Sequence, residues 1–186
     1  MVNLQFKNKG FTYLEMLIVI GIIILFASFI ITYSHVSERQ LILVKDQALI
    51  VGALQKAKAS TLATFSEAGI SCGFGVHFSS STIPNQIVIY KNIPQATSTN
   101  SLALCLAMDH SYQPAILSST TEIIYLDKDI RFKSVSSTDI FFVPPDPTIF
   151  IGNSSSTPAS TIEIETIDGL ATKTVKVSNF GQITIK

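Results

Sequence analysis

The stretch "KNKGFTYLEMLIVIGIIILFASFI", Lys7 to Ile30, decides how the rest of the chain is read. From Met16 to Ile31 the apolar run is broken only by Gly21 and Ser28. Taken from Phe11 to Ile31 it would be ~31 Å long as a helix, which matches a bilayer core. One carboxylate, Glu15, stands near its start. An ionised side chain in hydrocarbon costs ~2.5–3.5 kcal/mol even on insertion scales, so an acid kept there calls for a partner.

Outside this segment the composition is that of a water-exposed protein. The chain has 186 residues, 47% hydrophobic and 14% charged, with the apolar excess concentrated near its start. That length suffices for one domain with a real core plus an appendage. The 13 basic residues balance 13 acidic ones, so no bulk charge attracts nucleic acid. Lys7 and Lys9 are the only charges before Glu15. Basic flanks stay on the cytoplasmic side, which places the N-terminus inside and the rest outside as a single-pass protein. An ordinary secretory signal has a shorter apolar core with its cleavage site after it. Here the run is longer, and the small residue, Gly10, comes before it.

A short basic leader ending in Gly10, then Phe11, then Glu15, then an unbroken apolar helix resembles the prepilin signal of type IV pilins and type II secretion pseudopilins. The resemblance implies that a prepilin peptidase cuts between Gly10 and Phe11 and methylates the new N-terminus. It also implies that Glu15 is the acid through which subunits assemble. Each residue has a physical role in that scheme. Gly10 lets a membrane protease approach the backbone closely. Cleavage makes a cation, the α-amino group of Phe11, about one helical turn from Glu15. The amine of a neighbouring subunit can serve instead, and the pairing then sets axial register. A plain anchor whose Glu15 snorkels to the interface is the competing reading, and it leaves the Lys-Asn-Lys-Gly-Phe leader unexplained.

The first proline is Pro84, so the helix is expected to continue past the membrane, from about Phe11 to Phe65, over ~80 Å. On a helical wheel Leu43, Ile50, Val51, Leu54, Ala57, Leu62 and Phe65 gather on one side, with Lys45, Gly52, Lys56 and Ser60 opposite. That stripe asks for a covering layer. After Ala68-Gly69 the pattern changes to β-type runs. These are "GFGVHF" (73–78), "QIVIYK" (86–91), "SLALCLAM" (101–108), "EIIYL" (122–126), "DIRFK" (129–133) and "DIFFV" (139–143). "TIFIG" (148–152), "TIEIETI" (161–167), "ATKTVKVS" (171–178) and "QITIK" (182–186) follow. Asp-Gly in "ETIDGLATKTV" marks a hairpin turn, "NFGQ" (179–182) marks another, and "SSSTPAS" (154–160) reads as an exposed loop.

The expected fold class is therefore α+β, a long N-terminal helix on a mostly antiparallel sheet. Residues 1–10 are the expected leader, 11–32 the transmembrane and assembly helix, 33–68 its amphipathic continuation, and 69–186 the extracytoplasmic β-rich unit. The pilin resemblance implies the same architecture. "ALQKAKASTLAT" late in the helix and the ending "VKVSNFGQITI" are also similar to the H-type pseudopilins and FimT-like minor pilins. Many major pilins kink the apolar helix at a proline, and this chain has none there.

Cys72 and Cys105 lie in the part expected outside the cytoplasm, where disulfides persist. A bond between them would contribute ~3–4 kcal/mol in the chain-entropy model. Cys72-x4-His77 and Cys105-x4-His110 pair the ligand types of a zinc site, but residues five apart on a strand face opposite ways. Asp109 and His110 are adjacent and should diverge. Glu163 and Glu165 share a strand face, as polar-out alternation requires. "GFGVHF" lacks the Lys-Ser/Thr of a phosphate loop, and no hydrolase elbow or zinc-protease motif occurs.

No catalytic site, metal or cofactor is expected. The expected partners are the prepilin peptidase, other pilin or pseudopilin subunits, and the membrane before assembly. Two other functions compete with a structural subunit. A DNA-binding minor pilin would need a basic stripe, where the C-terminal part offers only Lys173, Lys176 and Lys186. A membrane-tethered enzyme or binding module would keep its N-terminus unprocessed.

Overall fold

The computed structural model describes residues 12–64, 72–93, 102–114, 118–144 and 148–186. It divides into two units, Met1–Glu38 and Arg39–Lys186. The chain is α+β, as its patterning predicts.

Helix α1 (Tyr13–Thr64, 52 residues) begins in the first unit and continues into the second. Its start is set by Thr12, whose backbone oxygen accepts from Glu15 and Met16 N–H and whose Oγ1 also faces Glu15 N–H at 3.3 Å. Thr12-x-x-Glu15 is thus the sequence of a capping box, with the acid where the helix dipole favours it. Within the apolar run, Ser28 Oγ donates to Leu25 O at 2.7 Å, which satisfies its hydroxyl inside the helix. The expected end at Phe65 lies outside the described residues.

In the second unit two antiparallel sheets meet α1. The larger one holds β1 (Phe74–Ser79), β2 (Gln86–Asn92), β3 (Ser118–Tyr125), β5 (Asp139–Val143) and β6 (Thr148–Ile151), ordered β3-β2-β1-β5-β6. The smaller holds β4 (Ile130–Val135), β7 (Ala159–Thr166), β8 (Thr172–Ser178) and β9 (Ile183–Ile185), ordered β4-β7-β8-β9. Leu43, Ile50, Leu54 and Ala57 of α1 share one core with Val76, Ile87, Ile140 and Ile149 of the first sheet and Ile162, Ile164, Val175 and Val177 of the second. Strand alternation places those residues on one face of each sheet.

The buried stripe of α1 is wider than the apolar residues alone. Asp46, Gln47 and Thr61 are buried in it and act as polar pins. Asp46 Oδ2 accepts from Asp127 N–H at 2.7 Å. Gln47 Nε2 donates to Thr174 O and Lys186 O, and Thr61 Oγ1 accepts from Phe74 N–H. The other oxygen of Asp46 has no partner among the described residues, and burial pushes its carboxyl above the ordinary range. Leu62, expected on the covered side, is exposed because it lies at the stripe's flank.

Most strands fall within a residue or two of their expected ends, but one expectation fails. "SLALCLAM" is no strand: Leu102–Ala107 form a short helix, α2. Leu and Ala are strong helix formers, and the run has no β-branched residue to favour a strand. β3 starts four residues earlier than "EIIYL", and the last two residues of "SSSTPAS" belong to β7, where Ser160 is buried. The Asp-Gly turn joins β7 to β8 as expected: Gly169 has a φ of 71° and its N–H donates to Thr166 O at 2.7 Å.

Candidate functional site

Gly10 and Phe11 lie outside the described residues. Glu15 sits in the first turn of α1, exposed, and no ion pair to it is found among the described residues. Behind it, Tyr13–Ile30 forms an apolar span of 18 residues, none of it buried within the chain. Length and composition suit a membrane-crossing helix. The side of Gly21 is open, with nothing within 4 Å of the place a Cβ would occupy. The apolar side chains of this span are uncovered within the chain, and its only carboxylate is Glu15.

The second candidate lies on the face of the five-stranded sheet that points away from α1. Cys72 and Cys105 are joined there in a disulfide, with Cα atoms 5.1 Å apart. The bond pins α2 and the segment after it over Tyr90, Phe141, Val143 and Phe150. The outer face is therefore covered over these residues, while Ile123 and Tyr125 of β3 stay exposed. Gly75 allows this closeness, because a Cβ there would stand 2.5 Å from Tyr90 Cζ and 2.6 Å from Phe141 Cδ2.

Polar groups of this outer layer satisfy one another. His110 is buried, stacked on Phe150 with ring centroids 3.8 Å apart. Its Nε2 donates to Cys105 O at 2.8 Å, while Tyr90 Oη donates to His110 O at 2.6 Å. Burial lowers the imidazole pKa and raises that of the Tyr90 phenol. His77 Nδ1 meets Asp139 Oδ1 at 2.9 Å, and Asp139 also accepts from Tyr112 N–H and Thr138 Oγ1. Burial pushes the Asp139 carboxyl up, but those hydrogen bonds outweigh it and hold it below its ordinary range. Asp109 accepts from Ser111 and Gln113. Backbone and hydroxyl donation from Ser111 keeps its carboxyl low.

Chemically this arrangement is committed to structure. Both cysteines are consumed by the disulfide, so the Cys-His pairing offers no thiolate to a metal. No group of three or more metal-ligating side chains occurs among the described residues. Glu163 and Glu165 both face outward from the four-stranded sheet, opposite cations of β4. Arg131 binds Glu165 at 2.6 Å, and Lys133 lies 3.8 Å from Glu163. The more exposed Lys133–Glu163 pair contributes little, ~0.2–1 kcal/mol, whereas the Glu165 carboxylate is buried and takes Arg131 through both Nε and Nη2.

The pins Asp46, Gln47 and Thr61 and the Thr12 cap were not singled out from sequence. The spacing Thr-x-x-Glu signals the cap; the pins carry no signal, since polar residues on a buried stripe are told from exposed ones only by their partners. Comparison of the chain with protein-family models, curated proteins and solved structures finds no match.

Proposed function

We propose that this chain is a type IV pilin-like subunit, of the pseudopilin or minor-pilin kind, that is made as a prepilin and assembles through α1. The observation that carries the reading is the uncovered apolar helix with Glu15 as its single acid, in the first turn after a basic leader. Such a helix has two environments that suit it, lipid before assembly and other copies of α1 afterwards. Cleavage at Gly10–Phe11 supplies the cation that Glu15 lacks. The folded unit carries a disulfide, which favours an oxidising compartment and hence the outer side of the membrane. The outer layer's polar groups being satisfied internally argues for a structural rather than a catalytic role.

Mass spectrometry of the mature protein tests processing. The expected N-terminus is a methylated Phe11, and an intact Met1 in cells that possess the peptidase overturns the reading. Glu15→Ala then tests assembly: it should insert and be cleaved normally but fail to enter filaments. Glu15→Gln should behave like Glu15→Ala, because register depends on the charge. A Gln variant that assembles like the parent assigns the role to hydrogen bonding or packing instead.

A further inference from the structure

Within the second unit the inner side of α1 is covered by the sheets, and Gln47 and Lys58 tie it to β8 and the β8–β9 turn through Thr174 O and Gly181 O. The outer side is different. Leu41, Val44, Ala48, Gly52, Gln55 and Leu62 are all exposed. Steps of three, four or seven residues put them on one line along the helix. Leu41, Ala48, Gln55 and Leu62 stand seven apart. No charge falls on that line, although the outer side of a helix in water ordinarily carries its charged residues. Leu41 is 72% exposed, and Ile185 of β9, 62% exposed, joins Val44, Ala48, Val51 and Gly52 in lining a groove beside the line. Gly52 has no part in packing the single chain, since nothing lies within 4 Å of the place a Cβ would take. A glycine there weakens the helix relative to alanine, and what it permits is the close approach of another backbone.

Exposed aliphatic residues that return every seven positions are the pattern of paired helices, in which each copy covers the other's line. Whatever covers this line must be uncharged opposite it and, before assembly, must lie in water. The apolar span Tyr13–Ile30 is in lipid at that stage and is not free to do so. The same line on a second copy meets both conditions. Copies anchored in one membrane enter it in the same direction, so their lines run parallel and meet in register. Each Gln55 amide then faces its twin and can both donate and accept, and a single polar residue in an apolar seam fixes register in this way. Lys45, at the margin of the line, faces the second copy's Gln40 and not a second cation. We propose that, before assembly, two copies of this chain pair in parallel along Leu41–Leu62 of α1. This rests on the reading of Tyr13–Ile30 as a membrane anchor.

Introduced cysteines test the pair in the full chain, in membranes of cells that express it, with copper phenanthroline as oxidant. Cys72 and Cys105 are already joined and do not compete. Ala48→Cys and Gln55→Cys lie on the line, and Lys176→Cys, exposed on β8, is the control. Each line variant should form a cross-linked dimer that the control lacks. Ala48→Glu would set two carboxylates face to face. In the Gln55→Cys background it should abolish the dimer and leave the unfolding midpoint unchanged, because Ala48 is exposed in the single chain. A dimer that survives Ala48→Glu, or a control that links equally, overturns the pairing. In mixed expression, Ala48→Cys linked to Gln55→Cys with neither linked to its twin rejects the parallel register. Gln55→Cys linked instead to Ile23→Cys assigns the line to a neighbour's apolar span and rejects self-pairing. Alkaline carbonate extraction separates the two ways of failing. Protein retained in the membrane without a dimer overturns the pair and leaves the anchor standing, whereas protein released removes the anchor and the parallel order with it.

Discussion

Replacing both cysteines, Cys72→Ala with Cys105→Ala, frees the outer layer from the sheet without placing a new group in the core. The cross-link spans a sequence separation of 33, for which loop-closure entropy assigns ~3–4 kcal/mol to the folded state. For a unit the size of Arg39–Lys186, that loss should lower the unfolding midpoint by about 6–16 °C. The assay is thermal unfolding of the full chain in detergent, followed by the near-ultraviolet circular dichroism of the tyrosines. Tyr90 and Tyr112 lie in or against the affected layer, so their signal reports it directly. Reductant should bring the parent to the midpoint of the double variant and leave the variant unmoved. The refuting result is a fall worth less than ~1 kcal/mol, because the layer would then be held by His110, Tyr90 and Phe150 alone and the entropic argument would fail. A midpoint of the variant that also falls with reductant refutes it equally, since no other disulfide is present among the described residues.

Gly75→Ala forces a methyl group against Tyr90 and Phe141 and should cost ~1–3 kcal/mol, read as a lower denaturant midpoint with an unchanged m-value. His110 is held neutral by burial, so its folded pKa lies below the ordinary 6.5. The stability it permits is complete above that value and is lost as pH falls through it toward the folded pKa, because the unfolded chain takes up the proton first. Urea midpoints measured between about pH 7 and pH 5 should therefore fall, and His110→Gln should remove that part of the slope.

Much of the fold was legible because both helix and strands advertise their period. Leu43, Ile50, Leu54 and Ala57 repeat at helical spacing, and "DIFFV" and "TIEIETI" needed only their flanking turns to be placed. "SLALCLAM" was hard to read as a helix, because a short apolar run fits either period and its Leu and Ala content is a weak signal beside the disulfide at Cys105 and the packing beneath it. Cysteine count foresaw the Cys72–Cys105 pair, since two thiols allow a single intramolecular partner. The two-sheet division was hidden: β4 and β5 are neighbours in sequence yet belong to different sheets, and that crossing depends on contacts such as Ser136 N–H to Thr161 O and Phe78 N–H to Thr138 O. Glu15 stood out at once because a lone charge in an apolar run violates a strong rule. Its cap, Thr12, obeys an ordinary one, so only the Thr-x-x-Glu spacing marks it.

The way β8 and the core lie along α1 has a mechanical consequence. Tension applied to α1 at Arg39, along the helix axis, acts in shear on the contacts at Asp46, Gln47, Lys58 and Thr61 and on the apolar stripe between them. Contacts loaded in shear share the force and must yield together. A pull on β9 away from β8 would instead open three register pairs one after another, each bearing the whole load in turn. The unit is thus hardest to break along the axis of its own stretch of α1 and yields more readily at β9, where Gln47 also holds Lys186 O.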